Sequence, residues 1–426
     1  MQNEVGEIMV SYDLIIIGGG PAGLAAAVSA FDNGVKNMII IEREEVLGGI
    51  LNQCIHNGFG LQRFKESLTG PEYAGRFITE VEKRNIKVLT STTVLSMTSD
   101  KVITAMNETD GVFTMQAKAI ILAMGCRERS RGALNIPGVR PAGIFSAGTA
   151  QKLVNMKGYL PGKKVVILGS GDIGLIMARR MTLEGASVQA VIEIMPFSSG
   201  LKRNIVQCLD DFNIPLYLSH TITKIYGGKK VTGVDVSKVD ENRNPIPGTE
   251  MHFDCDTVLF SVGLIPENEL SKDAGVELSP KTKGAVVYEN RETNLDGVFA
   301  CGNVLQVHDL VDFVSEEAEL AGKSASEYLK GNKAEREVVE ITNGSFVTYT
   351  LPQKVDKNIS SFVKVFFRVS SALKNCKIVA ESDGKVIFCK NKNIVVPGEM
   401  ENVILTSKVL KEAGKTIEIK VLTEGN

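Results

Sequence analysis

The stretch Tyr12-Asp13-Leu14-Ile15-Ile16-Ile17-Gly18-Gly19-Gly20-Pro21-Ala22-Gly23-Leu24 decides the fold. Its first half is a short apolar run that stops at glycines, the pattern of a parallel strand buried on both faces. Leu24–Asn33 follows as a helix, and Asn37–Ile41 as a second strand closed by Glu42. A bare G-x-G-x-x-G means little. Gly18, Gly20 and Gly23 carry it after a strand and before a helix, with an acid about 20 residues further on. Gly18 permits the tight turn, Gly20 lets backbone approach a pyrophosphate, and Gly23 lets helix and sheet pack closely. Pro21 and Ala22 complete the loop. The helix start after it offers free N–H groups and a positive dipole to phosphate. Glu42 is placed to accept hydrogen bonds from ribose hydroxyls. A glycine-rich turn with no ligand accounts poorly for strand, helix and acid together.

The pattern restarts further on. Lys163–Leu168 reads as a strand, Asp172–Leu183 as a helix, and Ser187–Ile192 as a strand closed by Glu193. Between them Gly169-Ser170-Gly171-Asp172-Ile173-Gly174 repeats the loop. A carboxylate at Glu193 repels a 2′-phosphate and accepts from a free 2′-hydroxyl, whereas NADP sites usually place an Arg nearby. The next cations, Lys202 and Arg203, are remote in sequence, so the reading favours NADH over NADPH. Two nucleotide folds in series imply two nucleotides and an enzyme that passes reducing equivalents between them.

Around these units Pro71–Asn85 has the spacing of an amphipathic helix, with Tyr73, Phe77, Ile78 and Val81 on one face. Ile86–Leu89, Thr92–Met97, Lys118–Ala123, Thr257–Val262 and Gly297–Ala300 read as strands, and Ser315–Lys330 as a helix ended by Gly331. Beyond Asn332 short alternating strands dominate: Phe346–Thr350, Phe362–Val369, Lys377–Glu381, Val386–Cys389, Val403–Ser407 and Thr416–Val421. Their regular spacing predicts a separate all-β sandwich of immunoglobulin-like type.

Composition excludes several classes. The 426 residues suggest two or three domains, and a net charge of −2 gives no reason to expect nucleic acid or an anionic membrane as partner. The seven cysteines (54, 126, 208, 255, 301, 376, 389) are scattered and hold no C-x-x-C pair. Metal centres and disulfide frameworks are therefore not expected, and a reduced cytoplasm fits. Glu4 and Glu7 make the N-terminus unlike a signal peptide, and no apolar run reaches the length of a spanning helix.

Five segments together make the chain resemble the pyridine nucleotide–disulfide reductase superfamily over about Tyr12 to Gly331. They are the two glycine loops, the strand ending Ala123-Met124-Gly125, Ser261-Val262-Gly263-Leu264-Ile265-Pro266, and Thr293 to Asn303. The resemblance implies an α/β fold with two Rossmann-like three-layer nucleotide-binding domains, the NAD domain inserted in the FAD domain. Residues 1–140 and 263–332 would then form the FAD domain and 141–262 the NAD(H) domain, leaving 333–426 as the C-terminal β-sandwich. It further implies FAD at Gly18, Gly20, Pro21, Ala22, Gly23, Glu42, Arg43, Gly49, Ile50, Gly125, Gly302 and Asn303. NADH falls to Gly169, Gly171, Asp172, Ile173, Gly174, Glu193 and Gly263. The implied chemistry is hydride transfer from nicotinamide to flavin.

The chain also departs from that family. Position 303 is Asn303 in place of the usual acid, and the redox cysteine pair is missing: Gly48 to His56 holds Cys54 alone, and the NAD region holds only the isolated Cys208 and Cys255. A disulfide reductase is therefore not expected. Gly48–Leu61, Leu68–Ala74, Met124–Arg129 and Val307–Val311 resemble a narrower group. These are NADH-linked flavoprotein subunits that accompany glycerol-3-phosphate dehydrogenase-like or amino-acid and opine oxidase subunits. This resemblance implies a hetero-oligomer with a flavoprotein dehydrogenase subunit; a homodimer stays open. Three rivals also stay open: a free-standing NADH oxidase, an electron-transfer subunit with a vestigial nicotinamide site, and an NADPH enzyme.

Cys54, His56 and His308 are the candidates for chemistry. Histidine is the one side chain whose unperturbed pKa lies near neutrality. Cys54 and His56 stand two apart in a glycine-flanked loop, where packing is an equal alternative. His308 precedes the helix that, by the resemblance, points its positive end at the flavin. Cys126 reads as a buried thiol before a reactive one, and Arg127 and Arg129 as surface ion pairs before phosphate ligands.

Overall fold

The computed structural model describes residues 10–332 and 335–423. The acidic N-terminal stretch with Glu4 and Glu7, and the expected junction at 333, lie outside these residues. The chain divides into two units. One comprises residues up to Cys126 and from Pro266 onward; the other is Arg127–Ile265.

In the first unit the opening run forms the strand Val10–Ile17, between Met38–Ile41 and Gly111–Leu122, parallel to both. Lys87–Leu89 and Val298–Ala300 extend the parallel part. The strand is apolar throughout because both faces are covered. Leu14 and Ile16 pack in one core with Leu24, Ala25 and Ala321, while Ile15 and Ile17 pack in another with Ile120, Leu122 and Val298. The helices Pro21–Asp32, Gly70–Lys83 and Val311–Leu329 supply the first of these cores. Gly70–Lys83 starts where it does because Thr69 and Glu72 form a capping box.

Three features were not expected from sequence. Lys118–Ala123 is the end of the twelve-residue strand Gly111–Leu122, whose first half pairs antiparallel with Val102–Asn107. The predicted helix 315–330 begins earlier, at Val311. Residues 127–140 go with the second unit. There Pro137 O accepts from Ile225 N–H, and Leu134 and Ile136 pack against the core around Val166 and Phe260.

The second unit is built on a five-stranded parallel sheet, in the order Ile144–Ser146, Thr257–Phe260, Lys164–Leu168, Ser187–Glu193, Leu216–Leu218. The helix Asp172–Leu183 follows the second glycine loop. An antiparallel three-stranded sheet, His220–Gly227, Val231–Lys238 and Met251–Asp254, completes it.

The C-terminal region has its own core, around Val365, Phe367, Ile378, Val403 and Ile419. A five-stranded and a three-stranded sheet enclose it. It is a β-sandwich, with two differences from the all-β expectation. Val338–Asn343 and Thr416–Thr423 run parallel, and Ser407–Glu412 is a helix because the Thr406 side chain accepts Val409 N–H and caps it. Among the described residues no helix is long and apolar enough to cross a membrane.

Candidate functional site

The two glycine loops share one construction. Gly18 has φ +109° and a Cβ there would lie 2.4 Å from Ala123 O; Gly169 has φ +102° and a Cβ there would lie 1.9 Å from Ser261 O. A Cβ on Gly23 would meet Gly18 O at 1.8 Å, and one on Gly174 would meet Gly169 O at 2.5 Å. The protein's own backbone thus demands the first and third glycines of each loop. The middle ones differ. The nearest atom to a Cβ on Gly20 is Gly49 Cα at 3.8 Å, and to one on Gly171 is Ser199 Oγ at 3.6 Å. Both are ordinary contacts, so protein packing does not explain those glycines, whereas close approach of a ligand does. Each also serves as N-cap of its helix, with no side-chain cap on the first N–H groups. A pyrophosphate fits there on donors and dipole alike.

The acids do more than the sequence suggested. The Glu42 carboxylate accepts Gly19 N–H at 2.7 Å and Glu44 N–H at 2.8 Å. Glu193 accepts Ser170 N–H at 2.9 Å, the Ser170 hydroxyl at 2.7 Å and Met195 N–H at 2.9 Å. Both residues are buried. Each braces its glycine loop and keeps lone pairs on its carboxylate oxygens that a further donor could use.

The second loop carries an extra strap. Gly200 N–H and Ser198 Oγ both donate to Ser170 O, and Leu201 N–H and Asn204 Nδ2 donate to Asp172 Oδ1 at 2.8 and 2.6 Å. Lys202 and Arg203 are remote in sequence but follow directly on this strap. Ile173 packs against its unit's core, and Gly263, with φ +102°, gives its carbonyl to Arg129 N–H.

In the first unit Gly49 and Ile50 open a short 3-10 helix, Gly49–Gln53, with Gly49 against Gly20. Gly302 lies on the helix Pro21–Asp32, where a Cβ would come 2.7 Å from Ala22 Cβ. This brings the Thr293–Asn303 motif to the first loop. Asn303 accepts His308 N–H at 3.1 Å and donates to Cys126 Sγ at 3.6 Å. Gly125 O accepts Glu267 N–H, and Glu267 pairs with the exposed Arg43 at 3.1 Å. Arg43 is thereby engaged in a surface ion pair.

The His308 side chain is buried, with Nε2 at 2.9 Å from Glu317 Oε2. Glu317 also receives Arg291 Nε at 3.0 Å, Gly302 N–H at 3.0 Å and Gln306 Nε2 at 3.3 Å. Burial alone would raise the Glu317 carboxyl, but the charges of His308 and Arg291 and these hydrogen bonds hold it down at about 2. Sequence reading missed Glu317 and Arg291. A signal for Glu317 existed: it falls on the face of its helix formed by Val314, Ala318, Ala321 and Ala325, where a charge needs a partner.

The loop holding Cys54 and His56 is tied to the same helix. Asp312 accepts Gly60 N–H at 3.2 Å and Arg63 N–H at 2.8 Å. His56 stacks near Phe59, ring centres 5.0 Å apart. Loss of solvation pushes the Cys54 thiol up to about 12, so it stays protonated at neutral pH.

Comparison with known proteins agrees with this geometry. Residues 12–325 match the sequence profile of the family described as pyridine nucleotide-disulphide oxidoreductase. The chain is 26% identical over 284 residues to an opine oxidase subunit from Agrobacterium tumefaciens (strain Ach5), covering 63% of this chain and 55% of that protein. It is 27% identical over 302 residues to an alkyl hydroperoxide reductase subunit from Staphylococcus aureus (strain MRSA252), covering 69% and 54%. It therefore spans about half the length of these curated relatives. Among solved structures, T. acidophilum thioredoxin reductase superposes with a TM-score of 0.61 at 28% identity, over 76% of this chain and 98% of that one. The chain belongs to the pyridine nucleotide-disulphide oxidoreductase family, whose members are oxidoreductases that bind FAD and NAD(P)H.

Proposed function

We propose that this protein is an FAD-dependent NADH oxidoreductase that works without a redox disulfide and passes electrons to, or takes them from, a partner flavoprotein dehydrogenase subunit. The observation that carries the reading is the pair of middle glycines, Gly20 and Gly171, which no neighbouring protein atom requires. FAD, when bound, supplies the redox chemistry by accepting a hydride from reduced nicotinamide and yielding the electrons onward. The chain's own residues position and polarise. Gly18–Gly23 and Glu42 would hold the FAD pyrophosphate and ribose, and Gly169–Gly174 and Glu193 those of NADH. The Gly302–His308 segment, anchored on Glu317, would line the flavin side.

The cysteines support a route without a dithiol. All seven are free. Desolvation pushes the thiols of Cys54 and Cys255 up to about 12 and that of Cys208 to about 11. A partner is supported by the relative from A. tumefaciens, which is by its name one subunit of an oxidase. NADPH is the rival reading for the reductant. Comparing the two reductants separates them. Glu193→Arg should weaken NADH and improve NADPH; an unchanged preference would remove Glu193 from the ribose site. Rapid NADH consumption in air by the protein alone would replace the partner with oxygen.

A further inference from the structure

The loop Val307–Leu310 carries His308, and residues far beyond the family match hold it in place. The strand Phe362–Val369 of the C-terminal sandwich alternates. Val363, Val365, Phe367 and Val369 fill its own core, and Lys364 and Arg368 share the opposite face. From that face Lys364 pairs with Glu316 at 2.6 Å, and the Arg368 guanidinium pairs with Asp309 and donates to Val307 O at 3.2 Å. Its other end donates to Gly398 O at 2.9 Å and Pro397 O at 3.3 Å, and Tyr349 adjoins it. Met400 N–H donates to the second Asp309 oxygen at 2.9 Å. His308 thus has Arg368 bonded on both sides of it, while Asn303 holds its N–H and Glu317 its ring.

We propose that Arg368 is a positioning residue, reaching from the C-terminal domain to set the place of the His308 imidazole in the first nucleotide site. The proposal rests on the FAD reading of that site. Arg suits the task because its planar fork donates to several acceptors at once, and forked pairs fix geometry as well as energy. Arg368 and Met400 lie past residue 325, where the family match ends. The C-terminal domain therefore adds a support that the matched region does not contain.

The test has two arms. In the FAD-free protein, Arg368→Met should raise amide exchange at residues 307–310 roughly ten- to a hundredfold, the effect of losing charge-assisted hydrogen bonds. The ring signal of His308, one of four histidines, should shift or broaden in histidine-labelled spectra while those of His56, His220 and His252 stay put. Asp309→Asn should loosen the same amides while the sandwich stays protected, which keeps the test decisive if Arg368→Met fails to fold. Unchanged exchange and an unchanged His308 signal overturn the proposal. In the second arm, with FAD added, both variants should shift the flavin midpoint potential, and Arg368→Lys should restore it in part. A loosened loop with an unmoved potential also overturns the positioning role. Failure of the parent protein to bind FAD instead defeats the functional reading, and the first arm still reports on the loop.

Discussion

The two glycine loops are the same device built twice, and their differences are more informative than their likeness. In both, backbone contacts force the outer glycines, a buried acid braces the loop, and the middle glycine is left for a ligand. The first helix has no acid in its first turn; the second has Asp172. A carboxylate at a helix start competes with phosphate for the same dipole. On the proposed reading Asp172, partly satisfied by Leu201 and Asn204, would make the second loop the milder hold on a pyrophosphate. The first unit also holds a second buried carboxylate besides Glu42: Glu317, paired with His308 and Arg291.

The largest effects should come from the outer glycines. Gly18→Ala and Gly169→Ala each place a Cβ against a carbonyl oxygen at a left-handed residue, and each should cost on the order of 4 kcal/mol in denaturant titrations. FAD content should fall in the first variant and survive in the second; loss in both would mean that FAD retention is not a property of the first loop. Next is Glu317→Gln, which leaves Arg291 buried without its charge partner and should cost about 3 kcal/mol. The carboxyl is lowered in the folded protein from 4.5 to about 2, so its contribution is full above the ordinary value and is lost as pH falls from about 4.5 toward 2. Stability measured across that window should decline more steeply in the parent than in Glu317→Gln.

Gly20→Ala and Gly171→Ala should have smaller effects of another kind. Neither clashes with protein, so stability should change by less than about 1 kcal/mol, while nucleotide affinity falls about tenfold or more. An equal loss of stability would make the middle glycines structural and dissolve the central contrast between the positions. The smallest effect is Asp172→Asn. It keeps an acceptor for Leu201 N–H but drops the charge, and should tighten NADH two- to fivefold, about 0.3–1 kcal/mol. The equivalent position in the first loop, Pro21, has no charge to remove.

Local pattern made the two nucleotide folds legible. The continuous apolar strands, the glycines and the closing acids all lie within short windows, because a parallel strand covered on both faces must be apolar along its whole length. What escaped depends on contacts between distant residues. Arg368 and Asp309 are an ion pair across the chain with no periodicity to betray it. Residues 127–140 read as an extension of the first unit, yet their hydrogen bonds go to Ile225 and Gly263. The sequence also marked Cys54 for its type and its loop, but reactivity depends on solvation, and the desolvated thiol is a weak acid.

The most direct test is anaerobic titration of the FAD-loaded protein with NADH, followed by flavin absorbance, before and after alkylation of accessible thiols. Hydride uptake by flavin without a dithiol predicts that about one equivalent of NADH bleaches the flavin, and that alkylation leaves this unchanged. A flavin that stays oxidised under excess NADH, or one whose reduction depends on free thiols, would contradict it.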